Sequence, residues 1–212
     1  MSEKEILEKL KQALYSYSSK ETEKVAQETL EKGIDPMNAI NALTEAVRQI
    51  GERYGRMELF LGQLIKAGDA MKAGMNVLVP NIPLDKKPKT RKVVIGTVKG
   101  DIHSIGKKMV CAMIMAEGFE IYDIGEDVPT KKFIEMAEEV GADIIATSAL
   151  LTSTMPYQKE LIEFLKAKGL RDKYKIMVGG SPTSKAWAEE IGADAWAIDA
   201  VKAAKEAKRI LE

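Results

Sequence analysis

The sequence predicts an α/β protein: an N-terminal four-helix bundle over residues 1–80, a linker over 81–92, and a doubly wound five-stranded parallel sheet of flavodoxin or Rossmann type over 93–212. Three observations predict it. Apolar residues recur at helical spacing through the first eighty positions. A stretch rich in proline and charge follows. Beyond it, short apolar runs alternate with helical stretches, the pattern of a parallel sheet covered on both faces.

The elements follow in order. Ser2 and Glu5 have the spacing of a capping box, and Ile6, Leu7, Leu10 and Leu14 continue at helical intervals. A second helix spans about 20–32 and stops at Gly33. Asp35-Pro36 restarts the chain as N-cap and first helical residue, and Ile40, Leu43, Val47 and Ile50 form one face of the third helix. A fourth, with Leu61, Leu64, Ile65, Met71, Met75 and Leu78 as its stripe, begins near Leu59 and ends before Pro80. The stretch 81–92 reads as an inter-domain connector, although its basic residues could also touch phosphate. Strands are expected at 93–98, 120–124, 143–147, 175–178 and 195–198. Helices are expected near 105–117, 130–140, 156–168, 183–191 and 199–211.

Composition narrows the function. Lys plus Arg and Asp plus Glu each number 32 in 212 residues, so no net field draws the chain to nucleic acid or an anionic membrane. A single cysteine, Cys111, allows no internal disulfide and fits a reducing cytoplasm, where it reads as a small buried hydrophobe. The first residues are charged, without a signal-peptide core, and no apolar run nears the ~20 residues of a membrane span. There is one histidine, His103, so any imidazole chemistry runs through it.

Open parallel sheets bind ligands beyond the carboxyl ends of their strands. In the order 2-1-3-4-5, strands 1, 3 and 4 are neighbours, and their exits are unusual. The first leads into Gly100-Asp101-Ile102-His103-Ser104-Ile105-Gly106, the third into Ser148 through Thr154, and the fourth into Gly179-Gly180. Asp101 lies close enough to hold the His103 imidazole through a tight turn, as partners of metal-bound histidines do. Hydroxyls at Ser148, Thr152 and Thr154 could meet a polar ligand or the far side of Asp101. Each feature alone also reads as an ordinary turn; their joint placement makes a site. One histidine and one cysteine cannot build a closed zinc site, whereas a metal held by one protein ligand and a macrocycle fits.

Asp101-x-His103-x-x-Gly106, Ser148-x-Leu150 and Gly179-Gly180 together resemble the cobalamin-binding signature of methyl-transferring corrinoid proteins. That family includes the corrinoid proteins of methylamine and methanol metabolism and the cobalamin module of methionine synthase. The resemblance covers nearly the whole chain, and residues 50–71 resemble part of the family's helical cap. It implies a cobalamin or related corrinoid, with methylcobalamin formed in turnover and His103 replacing the cofactor's own base below cobalt. Asp101 and then Thr154 would continue the relay, Ser148 and Thr152 would contact the nucleotide tail, and Gly179 and Gly180 would leave it room. Phe60 matches an apolar cap residue over the reactive face; ordinary bundle core is the competing reading. The implied function is a methyl carrier that is not catalytic alone. Its implied partners are a substrate:corrinoid methyltransferase, a corrinoid:thiol or corrinoid:pterin methyltransferase and a reductive activator. Two departures are Ser104, where the family often has Asp, and Gly62-Gln63, where it often has Pro-Glu.

Other classes fit less well. A receiver domain needs a phosphorylatable Asp at the third strand end, which here reads Thr147-Ser148-Ala149. A flavodoxin needs a phosphate loop after the first strand. A cobalamin-dependent sensor usually carries a DNA-binding helix-turn-helix, for which the assigned elements leave no residues. In a mutase cobalamin subunit the partner subunit, not an N-terminal cap, covers the cofactor.

Overall fold

The structure, a computed structural model, describes residues 2–82 and 90–212. They fall into two compact units, one ending at Thr90 and one spanning Arg91–Glu212. Most of the expected linker, residues 83–89, lies outside the described residues.

The first unit contains α1 (Glu3–Tyr15), α2 (Ser19–Glu31), α3 (Pro36–Gly55) and α4 (Leu61–Leu78), with a short 3-10 turn at Val79–Asn81. Local chemistry sets its helix ends. The Ser2–Glu5 capping box forms in both directions, and Asp35 Oδ1 accepts the Met37 amide at 2.9 Å just before Pro36. At the start of α4, Phe60 has no side-chain acceptor. The Gln63 side chain caps instead, accepting the Phe60 amide at 2.9 Å. α1 packs on α2 and α3, and α4 packs on α2 and α3. Ile6, Leu10, Leu14, Val25, Leu43, Val47, Ile50, Leu64 and Leu78 are fully buried between them, so the apolar stripes converge on one core.

The second unit alternates β1 (Lys92–Thr97), α5 (Ile105–Ala116), β2 (Glu120–Asp123), α6 (Thr130–Val140), β3 (Ile144–Ser148), α7 (Pro156–Ala167), β4 (Lys175–Gly179), α8 (Lys185–Ile191), β5 (Ala195–Trp196) and α9 (Ala200–Arg209). The strands pair in parallel in the order β2-β1-β3-β4-β5. Val94, Ile145, Ile176 and Val178 pack with Phe133, Leu161, Leu165 and Ile191 from α6, α7 and α8. Their strand neighbours Val93, Ile95, Ile144 and Met177 are also buried, and the two-residue period turns them to the opposite face. On another side of the unit α5 and α9 pack together. β1 lies between β2 and β3, and Thr97 is in register with Ser148, which is in register with Gly179. The exits of β1, β3 and β4 therefore stand side by side. No helix among the described residues is long and apolar enough to cross a membrane.

Candidate functional site

The turn between β1 and α5 holds its histidine by main chain and side chain together. Asp101 is fully buried. Its Oδ1 accepts the His103 amide at 3.1 Å and faces His103 Nδ1 at 2.7 Å. The Thr97 hydroxyl donates to the His103 carbonyl at 2.9 Å. A carboxylate can only accept, so the Nδ1 it faces carries the proton in the neutral ring. Nε2 then keeps a lone pair, on a side chain that is 48% exposed.

The other carboxylate oxygen is tied to the β3 exit. Asp101 Oδ2 accepts the Leu150 amide at 2.6 Å and the Leu151 amide at 3.3 Å. The Thr154 hydroxyl lies 2.9 Å from Oδ2 and 2.8 Å from the Leu151 carbonyl, so its single proton has two acceptors. Burial alone would raise the Asp101 pKa. The hydrogen bonds from the His103 amide and ring, the Leu150 amide and the Thr154 hydroxyl outweigh burial and hold it well below the usual carboxylate range. Asp101 is thus held as an acceptor that fixes one tautomer of the neutral imidazole.

Asp101, His103, Leu150 and Thr154 form this single network, with Leu150 joining through its amide. The other expected residues line the same sheet edge outside it. Ser148 is half-buried and Thr152 exposed, and neither hydroxyl makes a hydrogen bond among the described residues. Gly180 sits at φ 122°, where a Cβ would stand 1.8 Å from the Ala149 carbonyl oxygen, so only glycine lets the β3 and β4 exits approach this closely. At Gly106 and Gly179 a Cβ would meet nothing within 4 Å. Phe60 belongs to the helical unit, where it is the N-cap of α4 and 83% exposed, which sets aside its reading as bundle core.

Gln158 and Lys107, buried polar residues of the sheet unit, escaped the sequence reading. Gln158 donates to the carbonyls of Thr147 at 3.1 Å and Gly179 at 3.0 Å, and accepts Trp187 Nε1 at 3.0 Å. It ties the β3 and β4 exits to α7 and α8. Lys107, one turn past His103 on α5, has a fully buried side chain. It pairs with Asp123, lies 3.6 Å from Glu126 and donates to the Gly125 carbonyl at 3.1 Å. Both lie on apolar stripes, Gln158 with Leu161, Ile162 and Leu165, and Lys107 with Cys111 and Ile114. That placement is the signal that marks a polar residue as buried. Lys107→Ala is expected to cost about 3 kcal/mol in urea denaturation of the cofactor-free protein, since it empties a fully buried side-chain site and removes the cation paired with Asp123. Lys107→Met, which keeps the packed stem, should cost less; equal losses would mean that the charge and not the packing of the stem is what matters there.

The arrangement fits the corrinoid that the resemblance implies. Among the described residues no three or more His, Cys, Asp or Glu gather to hold a metal. The site offers one imidazole lone pair, leaving the remaining coordination to a macrocycle. Exposed Ile102, Ile105, Leu150 and Leu151 flank His103 with apolar surface. The unpaired hydroxyls and the open space at Gly106 and Gly179 suit a polar tail.

Comparison with known proteins agrees. Two family models, each described as a B12 binding domain, match residues 91–207 and 6–79. The chain is 43% identical over 212 residues to dimethylamine corrinoid protein 1 of Methanosarcina mazei, covering 99% of this chain and 98% of that one. A crystal structure of the methanol:cobalamin methyltransferase complex from Methanosarcina barkeri matches with a TM-score of 0.86 and 26% identity, covering 98% of this chain and 80% of that one. A cobalamin-binding protein from Desulfitobacterium hafniense matches with a TM-score of 0.71 and 32% identity, covering 97% and 98%.

Proposed function

Because this chain belongs to the B12-binding domain family of corrinoid proteins, we propose that it is a methyl carrier holding a cobalamin-type corrinoid through His103, between a substrate-specific methyltransferase and a second methyltransferase. The observation that carries this is the Asp101–His103 pair, 2.7 Å apart, with Nε2 left for a ligand at the sheet edge. The bound corrinoid would supply the methyl-accepting and methyl-donating chemistry through its cobalt. Everything else falls to the polypeptide. Asp101 keeps Nδ1 protonated and the ring oriented. The Leu150 and Leu151 amides and Thr154 keep Asp101 ionised. Ser148 and Thr152 offer hydroxyls to the tail, Gly106 and Gly179 leave it space, and Gly180, whose missing side chain is filled by the Ala149 backbone, serves the close approach of the β3 and β4 exits instead.

Relatives aligned over nearly their whole length are named as dimethylamine corrinoid proteins, which supports a methylamine as donor, with methanol the runner-up from the structural likeness. The same relatives favour a carrier over a sensor or a mutase subunit. The partners would be a substrate:corrinoid methyltransferase, a corrinoid:thiol or corrinoid:pterin methyltransferase and a reductive activator, all in the cytoplasm.

Nitrogen labelling tests this reading directly, because the chain has one histidine. Protein grown with 15N-histidine, loaded with cobalamin and reduced to Co(II), is expected to show a 15N doublet splitting in its electron-spin spectrum. A 14N triplet from the cofactor's own base would overturn the assignment.

A further inference from the structure

We propose that Asp127 is a positioning residue for His103, clamping the ligand turn from the β2 side. Asp127 lies in the loop between β2 and α6, 24 positions beyond His103, outside the three strand exits that form the site. Its Oδ1 accepts the Gly100 amide at 2.7 Å, and its own amide donates to the Asp101 carbonyl at 2.9 Å. Side chain and main chain of one residue thus grip two consecutive residues of the turn.

The clamp is itself anchored. Thr97 donates its amide to the Gly125 carbonyl at 3.0 Å, Val128 donates to the Thr97 carbonyl at 3.0 Å, and Val98 bridges to Val128. Lys107 holds the Gly125 carbonyl and pairs with Asp123 from beneath. The backbone is arranged for the contact: Asp127 at φ 51° and Gly100 at φ 79° both occupy the left-handed region, where Asp is tolerated and Gly is at ease.

The ligand turn is therefore held on two sides. Through the Asp101 side chain it is tied to the β3 exit, and through the Gly100 and Asp101 main chain to the β2–α6 loop. The Asp101 carboxylate fixes which nitrogen of His103 bears the proton. With the main chain free, Asp101 could keep its carboxylate contacts while its backbone, and the imidazole two residues on, swung. Asp127 removes that freedom and so sets where Nε2 points. The effect on a bound cofactor rests on the corrinoid reading above; the clamp in the cofactor-free protein does not.

Two substitutions separate the carboxylate from the backbone strain. Asp127→Gly removes the acceptor and accepts a positive φ. Asp127→Asn keeps an acceptor oxygen and tolerates φ 51°. In the cofactor-free protein, amide exchange at Gly100 is expected to be protected, to quicken roughly tenfold or more in Asp127→Gly, and to stay within about threefold in Asp127→Asn. Amides of Val94 and Ile145 should keep their protection and report an intact sheet. After loading with cobalamin and reduction to Co(II), the fraction showing 15N-histidine coupling should fall in the glycine variant and hold in the asparagine variant. An unprotected Gly100 amide in the unaltered protein overturns the clamp without any variant, which covers the case where the glycine variant does not fold. Equal exchange in the glycine and asparagine variants also overturns it. Faster exchange with undiminished histidine coupling overturns the positioning role. Absence of histidine coupling in the unaltered protein removes the carrier reading instead, and the exchange data still decide the clamp.

Discussion

His103→Ala is expected to abolish protein-derived nitrogen coupling in the Co(II) spectrum of the cobalamin-loaded protein while leaving the fold intact. The loss should be complete, since no second imidazole exists in the chain. The fold should survive because the main-chain bonds of residue 103 do not need the ring: its amide still reaches Asp101 Oδ1 and its carbonyl still accepts the Thr97 hydroxyl. Only the ring's bond to Asp101 goes, from a side chain already half in solvent. The expected destabilisation is about 1–2 kcal/mol, the worth of one hydrogen bond to a charged group. Cofactor should still be retained at raised concentration, because Ser148, Thr152 and the space at Gly179 remain. Added imidazole, entering the vacated volume beside Asp101, should restore a nitrogen splitting that no longer follows the histidine label. A protein-derived splitting that persisted in His103→Ala would place the ligand elsewhere.

Much of this fold is legible in the sequence, because simple periodicities carry it. The runs at 93–98 and 143–147 are dominated by apolar residues, Val93-Val94-Ile95 and Ile144-Ile145-Ala146, as strands buried on both faces must be, and they fold as β1 and β3. Asp35-Pro36 starts α3 because the carboxylate and the fixed φ of proline act within one turn of chain. The run at 195–198 is less faithful. Only Ala195 and Trp196 pair with β4, while Asp199 already caps α9 by accepting the Lys202 amide at 2.7 Å. A helix start three residues on leaves little room for an edge strand.

The candidate site divides the same way. Asp101 and His103 are visible because the residue types and their spacing are the interaction. The Leu150 and Leu151 amides are not visible, since every residue has an amide and only the path of the β3 exit aims these two at Asp101. Asp127 is hidden for the same reason: half of its grip is main chain, and its partners come from a different strand exit. Gln158 and Lys107 are concealed by the expectation that amides and ammonium groups face water. Tertiary contacts overrule it by giving each buried polar head its partners.

Asp101→Asn is expected to do more damage than its near-identical shape suggests. Five donors converge on the Asp101 carboxylate, from the His103 amide and ring, the Leu150 and Leu151 amides and the Thr154 hydroxyl. Asparagine offers one oxygen and brings two donors of its own. If its NH2 faces β3, it meets two main-chain amides that cannot turn. If it faces His103, it meets one amide and a ring that can adapt, so this orientation costs less. The ring adapts by accepting at Nδ1 and carrying its proton on Nε2, the nitrogen a metal would need. The variant's cofactor-free protein should therefore show the Nε2–H tautomer by 15N chemical shift, and the histidine-coupled Co(II) fraction should drop on the order of 10–100-fold. Stability should fall by about 3 kcal/mol at pH 7, from lost charge-assisted bonds and a donor facing a donor. The acid limb of the stability curve gives an independent check. Folding depresses the Asp101 pKa from its ordinary value of 3.8, so its contribution is complete above that value and drains away as pH falls toward the lower folded value. The gap between the two proteins should narrow below pH 3.8, where Asp101 takes up a proton in the unfolded chain while the folded protein keeps it ionised. A gap unchanged down to pH 2, or an Asp101→Asn protein with the Nδ1–H tautomer and full histidine coupling, would mean that the anion does not set the tautomer and that the turn geometry alone does.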